Sequence, residues 1–314
     1  MKAIPFFLIL WYVLLEYNKR LQVLHMTVKK YIKRENLIAL CFLAPSLLGF
    51  LIFFLAPFFA GIYYSFLDSP INGSFVGISN YLSLLKNRIF LKAFTNTIIF
   101  TGTSVPLNMF FSLFLAVLLN KKIYGRNILR TFFISPLVVP VASIVLIWQV
   151  FFDYNGAFNS FLSQFHVASV DWMNTSWSRV VVLIVYLWKN IGYNMVLFLA
   201  GLQNIPVEYY ESAQIDGAGA LKKFTGITLV YLTPTSFFVF IMSIINSFKV
   251  FRETYLISGD YPQDSIYMLQ HYMNNMFSSL DYQKLTSAAC IMALLIYLLV
   301  FNLFVFERKI SKNI

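Results

Sequence analysis

In a chain that is otherwise strongly apolar, the stretch EYYESAQIDGAG (208–219) gathers three carboxylates, Glu208, Glu211 and Asp216, and two glycines, with no bulky aliphatic run. Pro206 just before it favours a helix start, and acidic groups early in a helix suit the positive end of its dipole. Ser212 and Ala213 keep one face low, so another protein can approach closely. Gly217 permits a bend that a residue with a Cβ resists. Lys222 and Lys223 fall toward the end of a second helix. These residues describe a short two-helix elbow fitted to a partner's cleft. A solvated loop with ordinary helix caps is the other reading of the same pattern.

Few other residues offer chemistry. GAGALKKF (217–224) has glycines and lysines, but not the spacing of a phosphate-binding P-loop, and no strand can precede it in so apolar a setting. No HExxH motif, Cys/His metal cluster or serine nucleophile elbow is present, which argues against a membrane enzyme. Cys41 and Cys290 both fall in apolar runs and read as packing residues. His25, His166 and His271 have no ligand spacing and read as surface or interfacial. Lys189 and Lys249 are the clear ionisable residues expected inside apolar spans. The absence of an intramembrane acid there argues against a proton-driven carrier acting alone.

The elements that must position the elbow follow from composition. Of 314 residues, 59% are hydrophobic, 18% aromatic and 12% charged, and the mean hydropathy is +0.71. A soluble domain of that length cannot solvate so much apolar surface, so this is an all-α polytopic membrane protein. The net charge of +11 sits beside the apolar runs, as membrane orientation requires, and implies no nucleic-acid partner. Six segments are long enough to cross a bilayer: about 37–65, 94–120, 131–152, 179–203, 229–251 and 285–306. Pro136 and Pro140 interrupt the third and Pro234 lies early in the fifth, either as packing kinks or as hinges lining a cavity.

Basic residues set the orientation. Lys121, Lys122, Arg126 and Arg130 follow the second span, Lys29, Lys30, Lys33 and Arg34 precede the first, and Arg308, Lys309 and Lys312 end the chain. Loop 154–178 has no Lys or Arg, and loop 253–284 is mostly acidic. Lys86, Arg88 and Lys92 run against the trend, but the balance places both termini and the elbow in the cytoplasm. Residues 1–36 read as an N-terminal extension, interfacial or disordered. A start at Met26 and a seventh span are the alternatives for this segment. Residues 37–306 form the transmembrane domain and 307–314 a cytoplasmic tail.

Glu211-Ser212-Ala213, Asp216-Gly217-Ala218, Phe224, Ile227 and Leu229 resemble the EAA loop of permease subunits from binding-protein-dependent ABC importers. The segment departs from that pattern at Ser212, where alanine is usual, and at Val230, where proline is usual. ENLIALCFLAPSLLGFLIFFLAPFFAGIYYSF (35–66), GISNYLSLL (77–85), FTNTIIFT (94–101), WQVFFDYNGAFNSFL (148–162) and SFKVFRETYLISGDYP (247–262) are similar to the sugar-permease branch. Together they cover about residues 35–310 and look most like the larger maltose-importer permease and the glycerol-phosphate branch.

The resemblance implies a type I importer permease fold of six transmembrane helices, with an EAA loop at 204–228. It implies a bacterial cytoplasmic membrane, a second homologous permease, a dimeric ABC ATPase and an extracytoplasmic solute-binding protein. ATP and magnesium would be bound by the ATPase, and this chain would bind no cofactor or metal. Glu211, Ser212, Ala213, Asp216, Gly217, Ala218 and Phe224 would couple to that ATPase. Solute would pass Asn190, Tyr193, Asn194, Asn246 and Lys249, where aromatic rings and amides suit sugars. Packing against the second permease is the other reading of each. Lys249 could instead neutralise an anionic solute such as a uronate or glycerol phosphate.

Overall fold

The computed structural model describes residues 38–121 and 123–311. The N-terminal extension expected over 1–36, with His25, and the end of the expected tail lie outside the described residues. The chain divides into two units, Met1–Gly61 and Ile62–Ile314.

The first apolar stretch is a helix, α1 (Ile38–Tyr64). A π-helical turn at Leu51–Leu55 interrupts it, with the Ala56 amide bonding to Leu51. Pro57 follows at once and supplies no amide hydrogen, which is a usual cause of such a defect.

The second unit opens with α2 (Ser79–Lys86) and the long α3 (Arg88–Asn120). Asn87 starts α3 by accepting hydrogen bonds from the amides of Ile89 (2.9 Å) and Phe90 (3.2 Å). The third apolar segment is not one straight helix. α4 (Arg126–Ile134) runs through a tight turn at Ser135–Leu137 into α5 (Val141–Phe151), with a bend of 99°. Pro136 and Pro140 deny this segment two helical donors, and Pro140 is extended at the start of α5. The described chain therefore has five long apolar helices, and six crossings only if the bent pair counts as one.

α6 (Ala157–Ser163) leads to α7 (Ser178–Gln203), and then come the short α8 (Val207–Ile215) and α9 (Ala220–Lys223). A π turn at Phe224–Thr228 and a helical turn at Leu229–Tyr231 carry the chain into α10 (Thr233–Phe248). Where the family pattern has proline, Val230 sits in this nearly continuous helical lead. The fifth apolar stretch does not end near 251 but continues as α11 (Phe251–Ser258) after a break at Lys249–Val250. It thus brings Arg252 and Glu253 into the span, correcting the expectation that its ionisable residue is Lys249 alone. α12 (Leu269–Ser278) and α13 (Tyr282–Ser311) complete the chain, so the last helix runs on past Val305. Among the described residues the extended structure is one isolated bridge, Leu67 to Phe75.

The core forms where α3, α7 and α10 meet, around Ala116, Met195, Phe198, Leu199, Leu232 and Val239. The buried face of α3 is unusually rich in small polar residues: Thr97, Thr101, Ser104, Asn108 and Ser112. In lipid such groups favour bonds across helices, and all of them but Ser104 have a hydrogen-bond partner. Asn194 on α7 donates to Asn108 (2.9 Å) and Ser243 (2.8 Å), and Thr101 bonds Ser247 (2.9 Å). Gly192 is needed for close approach, since a Cβ there would lie 1.8 Å from the Phe133 carbonyl oxygen.

At the end of the bundle opposite α8, loop 259–268 is pinned by side chains. Asn96 donates to the carbonyls of Asp264 (2.7 Å) and Tyr267 (3.0 Å), and Arg179 donates to the Ser265 carbonyl (3.1 Å) and Asn96 (2.9 Å). His271 is fully buried in α12, beside Phe251 and Tyr267, contrary to the surface or interfacial position expected for it. Burial pushes its imidazole pKa down to about 4, although Asp260 opposes the shift.

Candidate functional site

Two features stand out from the helical frame. One is an exposed hairpin, the other a cavity. In the hairpin, Pro206 caps α8 with extended geometry, and Glu208 lies in the first turn. Asp216 ends the helix and Gly217 adopts φ +74°. The Ala218 amide bonds back to the Ala213 carbonyl (2.8 Å) and the Gly217 amide to Gln214 (3.1 Å). These paired bonds form a Schellman cap, which needs a left-handed residue at Gly217. Gly219, again extended, opens α9.

The hairpin is anchored on its inner side. Ile205 is buried, Tyr210 packs on the core, and the Tyr210 hydroxyl bonds Thr228 (2.9 Å). Glu211, Ser212, Asp216 and Gly217 are exposed, while Ala213, Ala218 and Phe224 are half-buried. Ile215 (87% exposed) and Leu221 (76%) present bare apolar groups at the tip. An acidic, small-faced hairpin with apolar side chains left in water has the surface of a docking element.

The cavity, about 760 Å³, lies among α7, the α10–α11 break and α12. Asn190, Asn246 and Lys249 line it as a group. Tyr193 is half-buried and is not part of that lining, and Asn194 is buried in the α3–α7–α10 hydrogen bonds described above. So an i,i+4 pair on one helix splits between cavity and packing.

The cavity also contains residues that sequence reasoning did not single out: Arg252, Glu253, Gln270 and Asn274. Glu253 is 4% exposed and forms an ion pair with Lys189. A carboxylate five residues inside the end of an apolar helix is the signal that could have flagged it. Lys249 lies at the helix break, its amide bonded to the Asn246 carbonyl (3.1 Å). Irregular backbone at such depth is tolerated where it lines a cavity. Among the described residues no group of three or more His, Cys, Asp or Glu side chains could hold a metal ion.

A multi-pass helical bundle with a polar cavity at a helix break and a protruding glycine-hinged hairpin defines a membrane permease. The chain belongs to the family of binding-protein-dependent transport system inner membrane components, whose pattern matches residues 108–312. It is 37% identical over 221 residues to the arabinooligosaccharides transport system permease protein AraP of Bacillus subtilis, covering 69% of this chain and 70% of that one. It is 30% identical over 273 residues to the sn-glycerol-3-phosphate transport system permease protein UgpA of Yersinia pestis, covering 85% and 92%. Trehalose/maltose transport system permease protein MalF of Thermococcus litoralis is 35% identical over 190 residues, covering 60% and 64%.

The fold matches a chain of the solved bacterial ABC transporter involved in import of the acidic polysaccharide alginate, with a TM-score of 0.79. Identity is 23%, and the match covers 90% of this chain and 99% of that chain. The protein is thus a multi-pass inner-membrane permease subunit of the type I importer fold, and not an enzyme.

Proposed function

We propose that this chain forms half of the translocation pathway of an ATP-driven importer of sugars or oligosaccharides. A second homologous permease supplies the other half. A dimeric ATPase binds ATP and magnesium, and an extracytoplasmic binding protein delivers the solute. Both termini lie in the cytoplasm, as does the hairpin. The hairpin carries this reading: a Schellman-capped elbow bearing Glu211, Ser212 and Ala213, anchored inward by Tyr210 and exposed outward.

Glu211 makes the polar contact with the ATPase, Ser212, Ala213 and Ala218 let it approach, and Gly217, with Asp216 before it, sets the bend. Phe224 holds the second arm. Movement of the ATPase on ATP binding is passed through α9 and the π turn into α10, and so to the helix break at the cavity. There Asn190, Asn246 and Lys249 contact solute. Tyr193 borders that path, and Asn194 fixes the helices behind it. The sugar class is supported by relatives named for arabinooligosaccharide and trehalose/maltose transport.

A mild-detergent pull-down of the chain from its native membrane tests this. An ATPase and a second permease should co-purify, and the assembly's ATPase activity should rise with saccharide-loaded binding protein. Recovery of the chain alone, as monomer or homodimer, would sink the reading.

A further inference from the structure

The cavity lining has an uneven charge. Lys189 is neutralised by Glu253, and both side chains are largely buried. Lys249 and Arg252 line the same space, and among the described residues neither has an acidic partner; the other described ion pairs, Lys92–Asp264 and Lys284–Asp281, lie elsewhere. Apart from Tyr186, the uncharged polar side chains of the lining are amides: Asn190, Asn246, Gln270 and Asn274. Amides can solvate a cation or hydrogen-bond a hydroxyl, but they cannot supply a counter-charge. Both Lys249 and Arg252 are exposed, so their charge is open to whatever enters the cavity. The one carboxylate of the lining is already engaged.

Position reinforces the point. Lys249 ends α10 at the break and Arg252 lies in the first turn of α11, so two cations flank one interruption of the span. An arginine fork takes a carboxylate or a phosphate in bidentate fashion, and a lysine adds a mobile point charge. The volume of about 760 Å³ falls within the range of small-molecule sites.

We propose that the solute crossing this cavity is anionic: a polyhydroxylated molecule whose carboxylate or phosphate is held by Lys249 and Arg252, with the amides taking its hydroxyls. This rests on the importer reading above and narrows it. A neutral sugar would satisfy the amides and leave both cations unpaired.

The test uses the complete importer, with its ATPase, second permease and binding protein, in liposomes. Three labelled probes are offered: an oligogalacturonide mixture, glycerol 3-phosphate, and a neutral galactan-derived oligosaccharide mixture. One anionic probe should enter faster than the neutral mixture by about tenfold or more, and which of the two does so identifies carboxylate or phosphate. The Lys249→Gln/Arg252→Gln variant should lose about tenfold or more of that uptake. Lys249→Arg alone should retain most of it.

Uptake of the neutral mixture as fast as the faster of the two anions overturns the proposal and leaves the sugar importer standing. So does a double variant with unchanged anion uptake. A double variant that no longer co-purifies with the second permease also overturns it, since the cations would then pair with that subunit. Uptake of none of the probes by an assembly that hydrolyses ATP overturns the sugar reading and this proposal together.

Discussion

In the hairpin, every group that sets the geometry lies close along the chain, from Pro206 at the cap of α8 through Gly217 at φ +74° to Gly219 opening α9. The cavity obeys no local rule. Its lining comes from α7, the α10–α11 break and α12, and its central ion pair joins residues 64 apart in sequence. The hairpin is exposed and acidic, with bare apolar groups at its tip. The cavity joins four amides to two exposed cations, Lys249 and Arg252, on a partly apolar wall. One region is shaped to meet a protein surface, the other to hold something small. What a surface element does is set by its caps and bend, whereas what a cavity does depends on long-range packing holding its charges apart.

The largest expected effect breaks the hairpin alone. Gly217→Pro forces φ to a negative value and removes the amide that bonds Gln214, at a local cost of roughly 3 kcal/mol or more. Solute uptake should fall to background while membrane insertion and the amount of protein stay normal. Unimpaired uptake by this variant would remove the coupling role. Gly217→Ala gives a graded version, since an L-residue in the left-handed region costs roughly 1–2 kcal/mol.

The matching cut on the cavity side is Glu253→Leu, which strands the Lys189 ammonium where its side chain is 22% exposed. Removing one member of a buried pair costs about 3–5 kcal/mol, and replacing both by apolar residues is often nearly neutral. Thermal unfolding in detergent should therefore show a large loss for Glu253→Leu and substantial recovery for Lys189→Met/Glu253→Leu. Equal losses in single and double variants would mean that the pair does not govern the stability of this wall.

A smaller contrast separates two amides that sequence alone groups together. Asn194→Leu leaves Asn108 and Ser243 without their partner in the helix core, a loss of about 1–3 kcal/mol. Asn246→Leu faces the cavity and should leave stability within about 0.5 kcal/mol while lowering uptake. If melting temperature falls more for Asn246→Leu than for Asn194→Leu, the split between packing and solute contact is reversed.

That split marks the limit of what could be read along the chain. Apolar runs announce spans and Gly217 announces a turn, because both signals are local. The 99° bend was half-legible: Pro136 and Pro140 mark an interruption, but its angle depends on what α4 and α5 pack against. Glu253 reads along the chain as a loop residue because hydropathy falls before the helix does. Nothing near residue 253 says that Lys189 waits across the cavity. His271 misled in the same way, for a lone histidine in a polar loop looks exposed until α12 folds it against Phe251.

His271 supplies the smallest and most selective test, and it concerns the wall behind the cavity rather than the hairpin. Its folded pKa is about 4 against an ordinary 6.5, and burial is the cause. As pH falls below 6.5, an unfolded chain takes up a proton that the folded chain refuses, so stability declines from there to about pH 4 and is level below it. One pH unit below the ordinary value, near pH 5.5, the loss is about 1 kcal/mol. The facing charge is Asp260, whose attraction for an imidazolium limits the shift. Unfolding of the purified chain at pH 7.5 and pH 5.5 should show this difference, and His271→Asn, which cannot take up the proton, should lower stability at both values while shrinking the difference between them. A pH dependence equal in the variant would place the acid sensitivity in groups other than His271.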